Sequence, residues 1–259
     1  MKVRGQRECK DCGARWSYYE TGTVECPECG SLRSVGVEEE RNLHTDSPVE
    51  FDLTEPREAV DAQPLREVAD RAGEIAREYV RKRGFVRGGD LLALDETYLA
   101  AQELRHAADV VGRGLDLSDD EELYFLALLR SADAEAAGAD ADGHGTETDS
   151  DADSRPAPDE VPTSMHPIRG LAYAEAVAEY RREMADWADE RETSAVADRG
   201  RDALETLGDH VKRVQALDGD VDADTAELLV NAARDVGRYL REGDADALAS
   251  ARDRFDRLA

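Results

Sequence analysis

The chain has 259 residues, which is long enough for two domains or for one domain with a small appendage. Its 60 acidic residues against 33 basic ones give a formal net charge of −27, and aromatic residues make up only 5%. High charge with few aromatics is typical of disorder, but apolar residues recur at helical spacing over most of the chain, which favours folded helices with an acidic surface.

An acidic surface suits molar salt, where the Debye length falls to about 3 Å and the repulsion between carboxylates is screened. The composition therefore predicts a halophile's protein, with an acidic mesophilic protein as the alternative. The first residues lack the apolar core of a signal peptide, and the longest apolar run, Tyr124 to Leu129, is far shorter than the roughly 20 residues of a membrane span. We therefore expect a cytoplasmic protein with no membrane partner.

Two C-x-x-C-G turns near the N-terminus contain all the cysteines of the chain: Cys9, Cys12, Cys26 and Cys29. Four thiolates at this spacing can surround one metal ion, which predicts a single structural zinc. An iron centre of the rubredoxin kind uses the same four ligands, so iron is the alternative metal. Because four protein ligands leave no position for a metal-bound water, we expect no hydrolysis at this metal.

Residues 1–37 are predicted to form a small β unit. Strands at 14–20 and 23–25 flank a turn at Thr21-Gly22, and residues 31–37 supply a third strand. A unit of this size buries too little surface to fold alone, so metal binding would supply much of its folding free energy.

The residues Cys9-Lys10-Asp11-Cys12-Gly13 and Cys26-Pro27-Glu28-Cys29-Gly30 resemble the zinc ribbon of the transcription factor IIB type, which RNA-polymerase subunits and many ribosomal proteins share. The whole chain further resembles an uncharacterised haloarchaeal family of zinc-ribbon-containing proteins, and residues 16–22 and 31–37 are part of that likeness. The resemblance implies a metal-binding ribbon. It implies no single activity, because ribbons of this type serve many unrelated tasks.

The rest of the chain is predicted to be helical, apart from a polar connector at 38–54 and an acidic linker at 133–164. The linker holds ten acids and one basic residue without periodicity, so we expect it to be disordered. The first helical unit spans 55–132 and the second spans 165–259. In the second, an apolar stripe at alternating spacings of four and three indicates bundle core, with a partner-binding helix as the alternative: Tyr173, Val177, Tyr180, Met184 and Trp187.

Short similar segments suggest an internal duplication. Residues 68–71 recur at 196–199, and residues 107–115 resemble 232–240. Two related three-helix units would explain this pattern, and so would the shared composition of amphipathic helices. The predicted fold class is mainly α: a small N-terminal β zinc ribbon followed by one or two helical bundles.

The β unit is nearly neutral, with six basic and five acidic side chains among residues 1–35, whereas the rest of the chain is strongly acidic. If any surface contacts an anionic partner, we expect it to be this one. Trp16 and Tyr18 share one face of the predicted strand, where they could stack on bases or shield the metal. The candidate partner-binding residues are Arg4, Arg7, Arg15, Trp16, Tyr18 and Arg33.

No catalytic constellation is evident. The five histidines show no catalytic spacing, although His44 lies close to Asp46 in the polar connector, and the phosphate-binding glycine motifs are missing. The leading hypothesis is a non-enzymatic protein whose ribbon docks a protein or nucleic-acid partner, with no small-molecule substrate. A nucleic-acid-binding transcription or RNA-associated factor is the alternative. An enzyme would need a buried cluster of ionisable residues on facing helices.

Overall fold

The computed structural model describes residues 1–114, 117–133, 155–191 and 195–259. This part of the chain forms nine helices, with small antiparallel sheets near the N-terminus, which confirms the predicted mainly α fold with a small N-terminal β part. Within these ranges, none of the helices combines the length and apolarity that crossing a membrane requires.

The β unit, residues 1–37, contains a three-stranded antiparallel sheet in the order β3 (Arg15–Ser17), β2 (Gln6–Cys9), β4 (Ser34–Gly36). The prediction placed β4 correctly within 31–37 but missed the central strand β2, whose polar sequence shows no alternation. The predicted hairpin at Thr21-Gly22 is wrong. The chain there forms a short helix, α1 (Tyr18–Thr21), which Gly22 ends at a φ of +64°.

The connector at 38–54 is built into the body of the protein rather than lying loose on it. Strand β5 (Asn42–Leu43) pairs antiparallel with β1 (Lys2–Val3) at the N-terminus. Its polar appearance is misleading because Asp46 is buried and accepts hydrogen bonds from Arg83 and Arg87. Further along the connector, Phe51 and Leu53 join the main hydrophobic core.

Eight further helices follow: α2 (Thr54–Ala59), α3 (Leu65–Lys82), α4 (Glu96–Arg113), α5 (Asp119–Ser131), α6 (His166–Asp189), α7 (Ala195–Ala216), α8 (Ala223–Glu242) and α9 (Ala245–Leu258). Several begin at an acidic or hydroxyl cap, and the predicted capping box of Ser118 and Glu121 is present at α5. Between α3 and α4 a small hairpin of β6 (Val86–Arg87) and β7 (Asp90–Leu91) turns through Gly88 and Gly89, both at positive φ.

The two predicted helical units share one continuous hydrophobic core, so they form one bundle. Helix α4 packs on both α3 and α6, and α6 packs in turn on α7 and α8. The apolar stripe of α6 lies in this core, with Tyr173, Tyr180 and Met184 fully buried. The prediction of bundle core for that stripe is confirmed, and its alternative, a free partner-binding face, is wrong.

The candidate duplication maps onto two contacting helix pairs. The similar segments lie on α3 and α4 in the first unit and on α7 and α8 in the second, apart from Leu115, which is outside the described residues. Helix α6 has no counterpart among the described residues of the first unit. The second unit therefore has one helix more than the proposed three-helix repeat, and common ancestry of the pairs stays a prediction.

The predicted linker at 133–164 differs from the structure at both of its ends, while residues 134–154 lie outside the described ranges. At one end, the buried Asp133 carboxylate binds Arg57 and the backbone N–H of Leu53. At the other end, two 3-10 turns, Pro158–Glu160 and Thr163–Met165, pack on the bundle. Arg155, the one basic residue of the segment, anchors this end through ion pairs with glutamates on α4 and α8.

Candidate metal centre

The two C-x-x-C-G turns have the same backbone geometry. In the first, the N–H of Cys9 donates to the carbonyl of Ala14 (2.8 Å), and in the second, the N–H of Cys26 donates to that of Ser31 (2.9 Å). The N–H of the glycine after each pair donates back to the carbonyl of the first cysteine. Gly13 and Gly30 have φ values of +78° and +70°, so the final glycine is needed in each turn.

Folding of the sheet brings these turns face to face. The four sulfur atoms lie within 4.8 Å of one another, and two of the separations, Cys9 to Cys29 and Cys12 to Cys26, are 3.6 Å. Sulfur ligands about 2.3 Å from a zinc ion at the corners of a tetrahedron are roughly 3.8 Å apart. The donor set and its spacing therefore fit a single tetrahedral metal ion with soft thiolate ligands.

The backbone and the neighbouring thiols shift the pKa values of two cysteine thiols in opposite directions. The backbone N–H groups of Cys12 and Asp11 point at the Cys9 sulfur and lower the pKa of that thiol to about 6. At Cys29 the N–H of Ser31 also favours the thiolate, but the neighbouring thiols and burial outweigh it and raise the pKa to about 12. Four thiolates repel one another at these distances, and a divalent cation reverses this repulsion.

Trp16 covers the inner side of the sulfur cluster. Its side chain is only 7% exposed, packs with Cys9 and Cys26, and donates from the indole nitrogen to the Thr23 carbonyl (3.1 Å). Of the two sequence-based interpretations, the structure therefore favours shielding over base stacking. Tyr18 does not share a strand face with Trp16, because it begins α1 and packs edge-on against His44.

Three of the four candidate arginines have polar partners inside the β unit, whereas the fourth, Arg4, packs there with its buried Nε atom unpaired among the described residues. Arg7 donates to both the hydroxyl and the carbonyl of Ser34. The aliphatic part of Arg4 packs against Gly36, where an added Cβ atom would lie only 2.7 Å from the Arg4 Cβ. The exposed arginines form ion pairs, Arg15 with Glu8 at 2.7 Å and Arg33 with Asp11 at 2.6 Å. The structure thus does not bring the predicted partner-binding residues together as an open cationic surface.

Sequence reasoning missed a group of exposed apolar side chains on the same unit. They lie on and beside the edge strand β4, with exposed fractions of 41% for Val24, 71% for Leu32, 37% for Val35 and 43% for Val37. Val24 is held beside β4 because its carbonyl accepts from the Ser34 hydroxyl. Apolar residues spaced two apart at Val35 and Val37 are the signal that could have revealed part of this group.

The β unit is fixed to the helical bundle by a small set of contacts around Tyr19. The Tyr19 ring packs closely between Gly5 and Gly88, where a Cβ at either glycine would clash with it, and it lies 4.8 Å from the His44 ring. The amino group of Met1 donates to the His44 carbonyl at 3.2 Å. The position of the sulfur cluster relative to the bundle is therefore defined.

A second polar group lies deep in the bundle, and the sequence alone did not reveal it. Glu103 of α4 and Arg169 of α6 are fully buried and 2.5 Å apart, and Glu103 also accepts from the hydroxyls of Tyr124 and Tyr173. Beside them Arg155 pairs with two further glutamates on α4 and α8. This buried ionic cluster is the kind of feature that the enzyme hypothesis requires, but most of its polar atoms are already paired with one another.

The fold and the cysteine site together define a mainly helical protein with a candidate four-thiolate metal centre on an N-terminal β unit. The chain belongs to a family of unknown function, DUF7117, whose model matches residues 1–255. No curated protein and no solved structure matches the chain.

Proposed function

We propose that the chain is a non-enzymatic binding protein: one zinc ion holds the β unit as a zinc ribbon, and the ribbon docks a partner protein while the bundle serves as its scaffold. The four-thiolate donor set and its spacing support zinc as the metal. Iron accepts the same ligands and is the competing assignment. A closed four-ligand site supports a structural role for the metal rather than a catalytic one.

The observation that carries the docking role is the distribution of exposed apolar side chains. Seven large hydrophobic side chains are exposed in the described part of the chain, and five of them belong to residues 1–37. Solvent-exposed apolar groups concentrated on one small unit are typical of interaction surfaces. The four exposed side chains on and beside the edge strand β4 are here called the ribbon patch: Val24, Leu32, Val35 and Val37.

A protein partner fits this surface better than a nucleic acid does. Phosphate binding needs arginine or lysine side chains that are free to contact the backbone of the nucleic acid. Arg15 and Arg33 are instead paired with acidic neighbours, and Trp16 is buried against the sulfur cluster. An apolar patch with neutralised charges favours a partner that offers a complementary apolar surface.

The ribbon patch can be tested with a matched pair of variants in an affinity capture from native lysate treated with nuclease. Leu32→Ser with Val35→Ser removes two apolar side chains from the patch. The control, Leu123→Ser with Leu217→Ser, removes two exposed leucines, 64% and 50% exposed, from elsewhere on the surface. We expect the wild type and the control to retain the same partner. The affinity of the patch variant for this partner should fall by at least about tenfold, which corresponds to about 1.4 kcal/mol.

Two outcomes would contradict the docking proposal. In the first, the patch variant retains the partner as well as the control does. In the second, nuclease alone removes whatever the wild type retains, which would favour the nucleic-acid alternative.

We further propose that the protein works in the cytoplasm of a halophile, supported by its formal charge of −27. Raising potassium chloride from low to molar concentration is then expected to raise the free energy of unfolding, because salt screens the repulsion between surface carboxylates. Urea titrations at increasing salt measure this directly. A free energy of unfolding that falls or stays constant would contradict the assignment.

A further inference from the structure

A cleft of about 840 Å³ opens between α4 and α6, at the end of α3. The connector residues His44 and Thr45 and the chain's first residue, Met1, also line it. The volume falls within the range of about 300–1,000 Å³ that is typical of small-molecule sites. Neither the metal centre nor the ribbon patch contributes a residue to the cleft.

Two buried polar side chains that line this cleft each have one atom without a hydrogen-bond partner among the described residues. They are His44, 5% exposed, at its Nε2 atom, and Gln102, 3% exposed, at its Oε1 atom. Leaving such a group unpaired costs about 1–3 kcal/mol, so native proteins satisfy nearly all of them. The two orphaned atoms therefore indicate that a polar ligand completes the site.

The hydrogen bonds of these side chains define what the ligand must offer. The Nδ1 atom of His44 accepts from the N–H of Gly88 at 3.3 Å, and burial lowers the pKa of the imidazole, so the neutral ring carries its proton on Nε2. That N–H needs an acceptor. The Gln102 amide nitrogen contacts the Tyr98 hydroxyl at 3.4 Å, which leaves its carbonyl oxygen in need of a donor.

The charge of the lining is the opposite of that of the whole chain. Five arginines and three glutamates line the cleft, a formal balance of +2 in a protein of −27. Three of the arginines pair with acidic neighbours: Arg83, Arg105 and Arg182. Within the described residues Arg81 and Arg181 form no ion pair. Arg181 donates one N–H to the Leu204 carbonyl at 3.5 Å, so both guanidinium groups keep N–H donors that can bind an anion.

We propose that this cleft binds a small phosphorylated metabolite that also carries hydroxyl or amino groups, as nucleotides and sugar phosphates do. Arg81 and Arg181 bind the phosphate oxygens, His44 donates to an acceptor of the ligand, and Gln102 accepts from one of its hydroxyl or amino groups. This site is separate from the ribbon patch, so its test and the docking test can fail independently.

Isothermal titration and thermal unfolding of the full chain at moderate salt test the proposal, with AMP, ATP, ribose 5-phosphate, glucose 6-phosphate and inorganic phosphate as probes. We expect at least one phosphorylated metabolite to bind more tightly than inorganic phosphate. The nucleotide and sugar arms then identify the source of the phosphate. Arg81→Ser with Arg181→Ser is expected to weaken this binding by at least about tenfold.

Two further variants distinguish binding at this cleft from non-specific electrostatic attraction of the phosphate to surface arginines. Arg113→Ser removes an exposed arginine of α4 that does not line the cleft, and binding should be unchanged. Gln102→Leu is expected to weaken binding while the melting temperature stays equal or rises, because it removes an orphaned buried amide. If Gln102 had only a packing role, Gln102→Leu would not weaken binding while leaving the melting temperature equal or higher.

The proposal is overturned if none of the metabolites binds or if inorganic phosphate binds as well as all of them. It is also overturned if Arg113→Ser weakens binding as much as the cleft variant does, since the attraction would then be general charge.

Discussion

Replacing Cys9 and Cys26 with serine is expected to unfold the β unit while the helical bundle stays folded. Among the described residues, the core of this unit is a small cluster of Cys9, Trp16, Cys26 and Ala14 that is separate from the main hydrophobic core. The main core therefore does not stabilise it in the absence of the metal. Structural zinc contributes an apparent 10–16 kcal/mol in zinc-finger peptides, roughly the scale of the loss expected here. A chelator should produce the same change in the wild type.

Amide hydrogen exchange followed by mass spectrometry measures this change segment by segment. Protection should be lost in β2 and β4 and retained in α4 and α6. The matched control is Lys10→Ser with Glu28→Ser, which changes exposed, non-ligand positions of the same two turns. Retained protection of β2 and β4 in the cysteine variant would contradict a metal-dependent fold, and so would equal loss in the control.

The second large effect is expected from Glu103→Leu in the buried ionic cluster. This change leaves the Arg169 guanidinium fully buried without its carboxylate, and it removes the acceptor of two tyrosine hydroxyls. Removing one partner of a buried pair typically costs about 3–5 kcal/mol. Glu103→Leu combined with Arg169→Met should recover much of this loss, because no uncompensated charge then stays in the core.

Urea unfolding of these variants measures the free energies directly. Glu205→Leu, which changes an exposed glutamate on α7, is the control and should cost less than about 0.5 kcal/mol. If Glu103→Leu costs no more than the control, or if the double variant is less stable than Glu103→Leu alone, the cluster does not act as a coupled buried pair.

The features that the sequence predicted well are those that short spacings determine. The C-x-x-C-G turns are local, and the structure repeats their hydrogen bonds at Cys9 and Cys26. The capping box at Ser118 and the apolar stripe of α6 follow in the same way from positions three and four apart. Each of these patterns specifies its own geometry without reference to distant parts of the chain.

The features that the sequence could not predict depend on residues far apart. Glu103 meets the Tyr173 hydroxyl across 70 positions, and Thr45 meets Glu183 across 138. The polar connector is buried because Arg83 and Arg87 neutralise Asp46, which no local pattern reveals. The central strand β2 was missed for a related reason: the sheet on either side of it, rather than its own polar sequence, sets its conformation.

We propose that the four cysteines of one chain bind one zinc ion. Metal analysis combined with X-ray absorption at the zinc edge tests it most directly on the full chain purified without added metal. The expected result is one zinc per chain with four sulfur neighbours at about 2.3 Å. Iron in place of zinc, a first shell containing nitrogen or oxygen, or no bound metal would contradict it.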